Sequence, residues 1–141
     1  MTTVWGAPRH AYKLTENLAS GHRAAYELFW EGLASDERAD VVLALGAQAR
    51  LAALVARTNQ ATDFSVPEGH WDRIPCAHIR AFAVDAWLGA KAARVPRQPC
   101  EYCLRTAAEA LAELHLIALA AAELPRGTLA DVCGRAARWA R

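Results

Sequence analysis

The sequence predicts an all-α fold: a single-domain bundle or irregular array of about five helices. Three observations lead there. The 141-residue chain is 54% apolar, and alanine supplies much of that share. Alanine has the highest helix propensity, because it loses no side-chain entropy on ordering. β-Branched residues are sparse, with isoleucine only at Ile74, Ile79 and Ile117. Apolar positions recur three, four and seven residues apart rather than alternating, which is the helical period. The length suits one domain and is sufficient to bury a core.

Residues 1–14 read as an N-terminal arm and residues 15–141 as the helical domain. Thr15 or Asn17 suits the cap of a first helix reaching about residue 34. Leu18, Ala25, Leu28, Phe29 and Leu33 share one face of it, widened by Tyr26 and Trp30. Ser35 or Asp36 caps a second helix to about Thr58, with Asp36 and Glu37 at its positive end. Val41, Val42, Leu45, Ala49, Ala52, Leu54 and Val55 cover most of its circumference, so it is expected at the centre.

Residues 59–74 form the longest irregular stretch, and loops of that length in small domains often carry function. Pro75 suits the first turn of a third helix over about 76–93, striped by Phe82, Ala83, Ala86, Trp87 and Ala90. Pro96 and Pro99 hold the next connection extended. A fourth helix follows over about 100–123, with Leu104, Ala108, Leu111, His115, Ala118 and Ala122 on one face. Pro125 and Gly127 interrupt it. Thr128 then caps a fifth helix, with Leu129, Val132, Cys133, Ala136 and Trp139 apolar.

Sixteen basic and fifteen acidic side chains leave a net charge of +1, so bulk charge calls for neither a polyanion nor a membrane surface. The C-terminal stretch is locally basic, with Arg126, Arg135, Arg138 and Arg141 against Asp131. Residues 1–10 lack the apolar core of a signal peptide and contain Pro8. The longest uninterrupted apolar run, 116–122, is too short to span a bilayer. A cytoplasmic location without a membrane partner is therefore expected. In a reducing compartment the four cysteines are thiols or metal ligands rather than disulfides.

Cys76-Ala77-His78 and Cys100-Glu101-Tyr102-Cys103 form the one dense group of soft ligands. Zn²⁺ favours four thiolate or imidazole ligands in a tetrahedron. Cys-x-x-Cys at a helix start turns both sulfurs to one side, and the exposed N–H groups there favour thiolate. Cys76, His78, Cys100 and Cys103 are the expected zinc ligands, with His70 or Cys133 as substitutes. An iron–sulfur cluster on Cys76, Cys100, Cys103 and Cys133 is the weaker alternative. Geometry sets a condition. A straight helix over 77–94 is roughly 27 Å long, and residues 95–99 reach back only roughly 17 Å. The ligands converge only if the third helix ends early, near Gly89, or if the metal bridges two chains in a homo-oligomer.

Pro99-Cys100-Glu101-Tyr102-Cys103 resembles the Pro-Cys-x-x-Cys half of zinc-dependent nucleoside and nucleobase deaminases. There a His-x-Glu or Cys-x-Glu precedes it and its Glu moves the proton. Here His78 stands in the Glu position, and no strands are read for the family's central sheet, so deaminase activity is not expected. The run from Cys100 to Ala121 is similar to part of the zinc-binding anti-sigma domains, small helical proteins that sequester a transcription factor. That family has a His four residues before the first Cys, where this chain has Pro96.

No serine sits in a strand–turn–helix elbow and no glycine-rich phosphate loop exists. Glu109 and Glu113 lack companion Glu-x-x-His motifs and read as a solvated face. His115 reads as a packed histidine. His70, Trp71, Asp72 and Arg73 gather in the long loop, and an aromatic beside an arginine is typical of interface anchors. The expected function is a small zinc-stabilised regulatory or adaptor protein that binds another protein through this segment. The alternatives are nucleic-acid binding through Arg135, Arg138 and Arg141, and a metal-dependent enzyme with Asp72 or Glu101 as its base. An enzyme is the less expected of these classes.

Overall fold

Ser35 starts the longest helix for reasons visible in its first turn. Asp36 and Glu37 complement the positive end of the helix, and the Glu37 carboxylate accepts the Ala34 N–H at 3.0 Å. In the computed structural model, which describes residues 6–60, 64–89, 100–125 and 127–139, this helix is α3 (Ser35–Gln60). Before it run α1 (Gly6–Ala19) and α2 (Arg23–Glu31). After it come a 3₁₀ turn (His70–Arg73), α4 (Ala77–Leu88), α5 (Glu101–Ala121) and α6 (Gly127–Trp139). The fold is an all-α, single-domain array of six helices, with no strand among the described residues.

α3 packs against α1, α4, α5 and α6. Val41, Val42, Leu45, Ala49 and Ala52 are fully buried in those contacts, whereas Leu54 points to solvent. By length and hydropathy, Ser35–Thr58 also passes as a membrane span, although polar residues interrupt its apolar runs. More than half of that stretch is covered by neighbouring helices, as a core helix requires. α5 is its partner, with Leu104, Ala107, Ala108, Leu111, Ala112, Leu114 and Ala118 all fully buried. Gly46 lets α4 approach backbone to backbone: a Cβ there would stand 2.6 Å from the Ala86 carbonyl carbon. Gln48 is buried but satisfied. Its Nε2 donates to the Pro8 carbonyl at 3.0 Å and its Oε1 accepts the Cys133 thiol at 3.3 Å, tying α1 and α6 to α3.

Three expectations change. The arm over 1–14 is helical from Gly6, and Ala7, Ala11 and Leu14 are buried in the core. The first helix is two helices, because Gly21 takes a left-handed conformation (φ +73). There the His22 and Gly21 N–H groups bond the Asn17 and Leu18 carbonyls, a Schellman termination. Thr15 and Asn17 therefore lie inside α1, with the Thr15 hydroxyl donating to the Ala11 carbonyl. Tyr26 and Trp30 form the buried face of α2, and Leu28 is turned outward, 75% exposed. Finally, α4 stops at Leu88 rather than near residue 93.

Candidate metal centre

Two proline–cysteine pairs begin the two helices that build the site. Cys76 is the N-cap of α4 and Cys100 the N-cap of α5, both extended (φ −79, ψ 120 and φ −70, ψ 116). Pro75 thus precedes the cap instead of occupying the first helical turn. Cys103 is the third helical residue of α5. Residues three apart on a helix share a face, so its sulfur returns toward Cys100. The Sγ atoms of Cys76, Cys100 and Cys103 all lie within 4.8 Å of one another. All four cysteines are free thiols. Cys103 is buried, and Cys76 and Cys100 are half-buried.

Gly89 makes this convergence possible. It caps α4 in the left-handed region (φ +71), its N–H bonding the Ala86 carbonyl. Arg50 lies against it: Nη1 donates to the Ala86 and Trp87 carbonyls at 3.3 Å each, and a Cβ on Gly89 would meet that guanidinium at 2.3 Å. A twelve-residue α4 is only about 18 Å long. The eleven-residue connection to Cys100 reaches up to about 36 Å, ample for the return.

His78 does not join the group; it is exposed on α4. Successive helical residues turn by about 100°, so a residue two after the cap points away from it. The position three after Cys76, equivalent to Cys103, is Ile79, which is fully buried in the core. The two substitute ligands are also elsewhere. His70 is buried, with Nε2 2.8 Å from the Ala110 carbonyl in the middle of α5. Cys133 is buried on α6 beside Gln48. A cluster using all four cysteines is therefore not assembled by this fold.

The sulfurs differ electrostatically. The Cys100 thiol is held below its ordinary value by the Cys103 N–H above all, then by the Cys103 and Cys76 thiols and the Tyr102 N–H. Those N–H groups face the sulfur without forming a capping hydrogen bond of ordinary geometry. Burial pushes the Cys103 thiol up to about 12, with the Cys76 thiol adding to it. Beside the site, Arg38 ties three elements together. Its Nη2 donates to the Trp30 and Glu31 carbonyls at the end of α2, its Nη1 pairs with Glu101 at the start of α5, and its guanidinium lies over the Trp30 ring. The composition and motif pattern give no signal for this residue, because its partners are helix-end carbonyls and a carboxylate sixty-three residues away.

Residues of the loop expected to bind a partner also make contacts within the fold. His70 bonds α5, Trp71 packs half-buried against the core, and Arg73 pairs with Glu113 at 2.7 Å, while Asp72 and Arg73 are both exposed. Glu109 likewise pairs with Arg23 at 2.7 Å. Both glutamates expected on a solvated face are thus engaged in ion pairs. Arg135 is exposed on α6; Arg141 and the side chain of Arg138 lie outside the described residues, as do Arg126, Trp5 and the side chain of Trp139. Comparison of the chain with protein-family models, with curated proteins and with solved structures gives no match.

Proposed function

We propose that this is a small helical protein stabilised by a single zinc ion on Cys76, Cys100 and Cys103, and that it acts by binding another protein. The observation that carries the zinc reading is the meeting of three sulfurs, from two helix starts, within 4.8 Å. Thiolates select soft or borderline ions over magnesium or calcium. Zn–S bonds of about 2.3 Å at tetrahedral angles place sulfurs roughly 3.8 Å apart, within small side-chain adjustments of the spacing here. An iron–sulfur cubane binds each cysteine to a different iron and needs its sulfurs farther apart. The positive ends of α4 and α5 both face the sulfurs and favour the charge that a metal would hold there. The ion would clamp the start of α4 to the start of α5.

Protein binding is supported by what the fold leaves outside. Leu88 is 65% and Tyr102 58% exposed, and Leu28 is more so. Leu54, Leu88, Phe64 and Trp87 line an open cleft of about 340 Å³ with Arg50 and Arg57 on its walls. Aromatic and arginine side chains together are the composition of interface centres. The test of the zinc reading is elemental analysis of protein purified anaerobically without chelators. About one zinc per chain, lost in Cys100→Ser, is expected; protein that takes up no zinc even on titration refutes it.

A further inference from the structure

Resting on the zinc reading, we infer that the centre keeps an open fourth coordination position on its solvent side, taken by water or a neutral nitrogen donor from outside the chain. Among the described residues, no fourth His, Cys, Asp or Glu side chain joins Cys76, Cys100 and Cys103. The connection from Ala90 to Pro99 contains none of these residue types. The near candidate, His78, is turned away by helical register, and Ile79 fills the place that a second Cys-x-x-Cys would give to a ligand. Structural zinc sites are closed by four protein ligands, whereas three protein ligands leave a position for exchange.

The side on which that position opens follows from burial. Cys103 is buried beneath the site and Cys76 and Cys100 are half-buried, while Ala77, His78, Glu101 and Tyr102 around them are exposed. Charge selects the donor class. Three thiolates on Zn²⁺ carry about −1, and two helix N-termini offer about +0.5 each. A neutral donor leaves this balance undisturbed, and a fourth thiolate would not. The outside ligand is thus water at rest and an imidazole-type nitrogen, such as a partner's histidine, when bound.

Cobalt(II) substitution tests this, because zinc is spectroscopically silent. The full chain loaded with one equivalent of cobalt is titrated with imidazole while its visible d–d bands are followed. A band shift that saturates at one imidazole per cobalt is expected. It should be the same in wild type, in H78A and in D63A, Asp63 being the one His, Cys, Asp or Glu outside the described residues, and unchanged on tenfold dilution. Bands that ignore imidazole, or that change in H78A or D63A before any is added, overturn the open position but leave the metal site standing. A concentration-dependent spectrum overturns it in favour of a ligand from a second copy. No thiolate–cobalt absorption at all overturns both readings.

Discussion

His115 gives the sharpest handle on the core. It is buried in α5 with neither ring nitrogen bonded among the described residues, and burial holds its pKa down to about 4 from 6.5. The neutral ring is therefore the folded form, and protons bind the unfolded chain first. Stability from this source is present above about pH 6.5 and is lost as the pH falls toward 4. The full shift corresponds to about 3.4 kcal/mol, at about 1.36 kcal/mol per unit. Between pH 7.5 and 4.5 the loss works out to about 2.5 kcal/mol. His115→Leu keeps the volume and removes the proton site. Urea unfolding of both metal-free proteins across that range should show wild type losing about 2–3 kcal/mol more than the variant. At pH 7.5 the variant should be the more stable, since two unpaired buried nitrogens are gone. Parallel pH profiles would refute the argument and mean that the ring is hydrated or partnered.

Other substitutions test other joints. Gly46→Ala drives a Cβ into the Ala86 backbone, which cannot yield; overpacking outweighs the helix-propensity gain, so about 1–2 kcal/mol of stability and some zinc affinity should be lost. Gly134→Ala, with open space around it, should instead gain about 0.5–1 kcal/mol, so a thermal melt separates the two. Arg38→Ala strands the α2 carbonyls and should cost about 2 kcal/mol, whereas Glu101→Gln, which loses only a half-exposed ion pair, should cost under about 1 kcal/mol in the same urea assay. Glu123 sits at φ +55 in the Schellman turn that ends α5. Replacing it by glycine should relieve strain and raise stability by up to about 1 kcal/mol, read from the thermal midpoint.

The elements that read correctly are those whose signals are local. α3 announces itself through Asp36 and Glu37 and an apolar run of helical period; α5 does so through Leu104, Leu111 and the Cys100 start. α1 carries its signal too: Ala7, Ala11 and Leu14 are spaced as one helical face, and Pro8 lies in the first turn, where proline is tolerated. The split at Gly21 is harder, since a glycine inside an apolar pattern looks the same whether it is tolerated or terminates the helix. At the metal centre, the cysteines are legible from spacing, and the requirement for an early stop near Gly89 follows from chain length alone. The exclusion of His78 turns on register: the start of α4 must be known to within one residue before its ring can be placed. Arg50 stays hidden because its partners are backbone carbonyls distant in sequence, and Arg38 because it joins the carbonyl end of α2 to a carboxylate sixty-three residues away.

The central claim is that Cys76, Cys100 and Cys103 act together on one ion. Zinc affinity by competition with a chromophoric chelator, measured on single variants, tests it most directly. Cys76→Ser, Cys100→Ser and Cys103→Ser should each lower the affinity by orders of magnitude, while His78→Ala and Cys133→Ser bind as wild type does. Undiminished binding by Cys76→Ser, or loss of zinc in Cys133→Ser with its fold intact, would contradict the account.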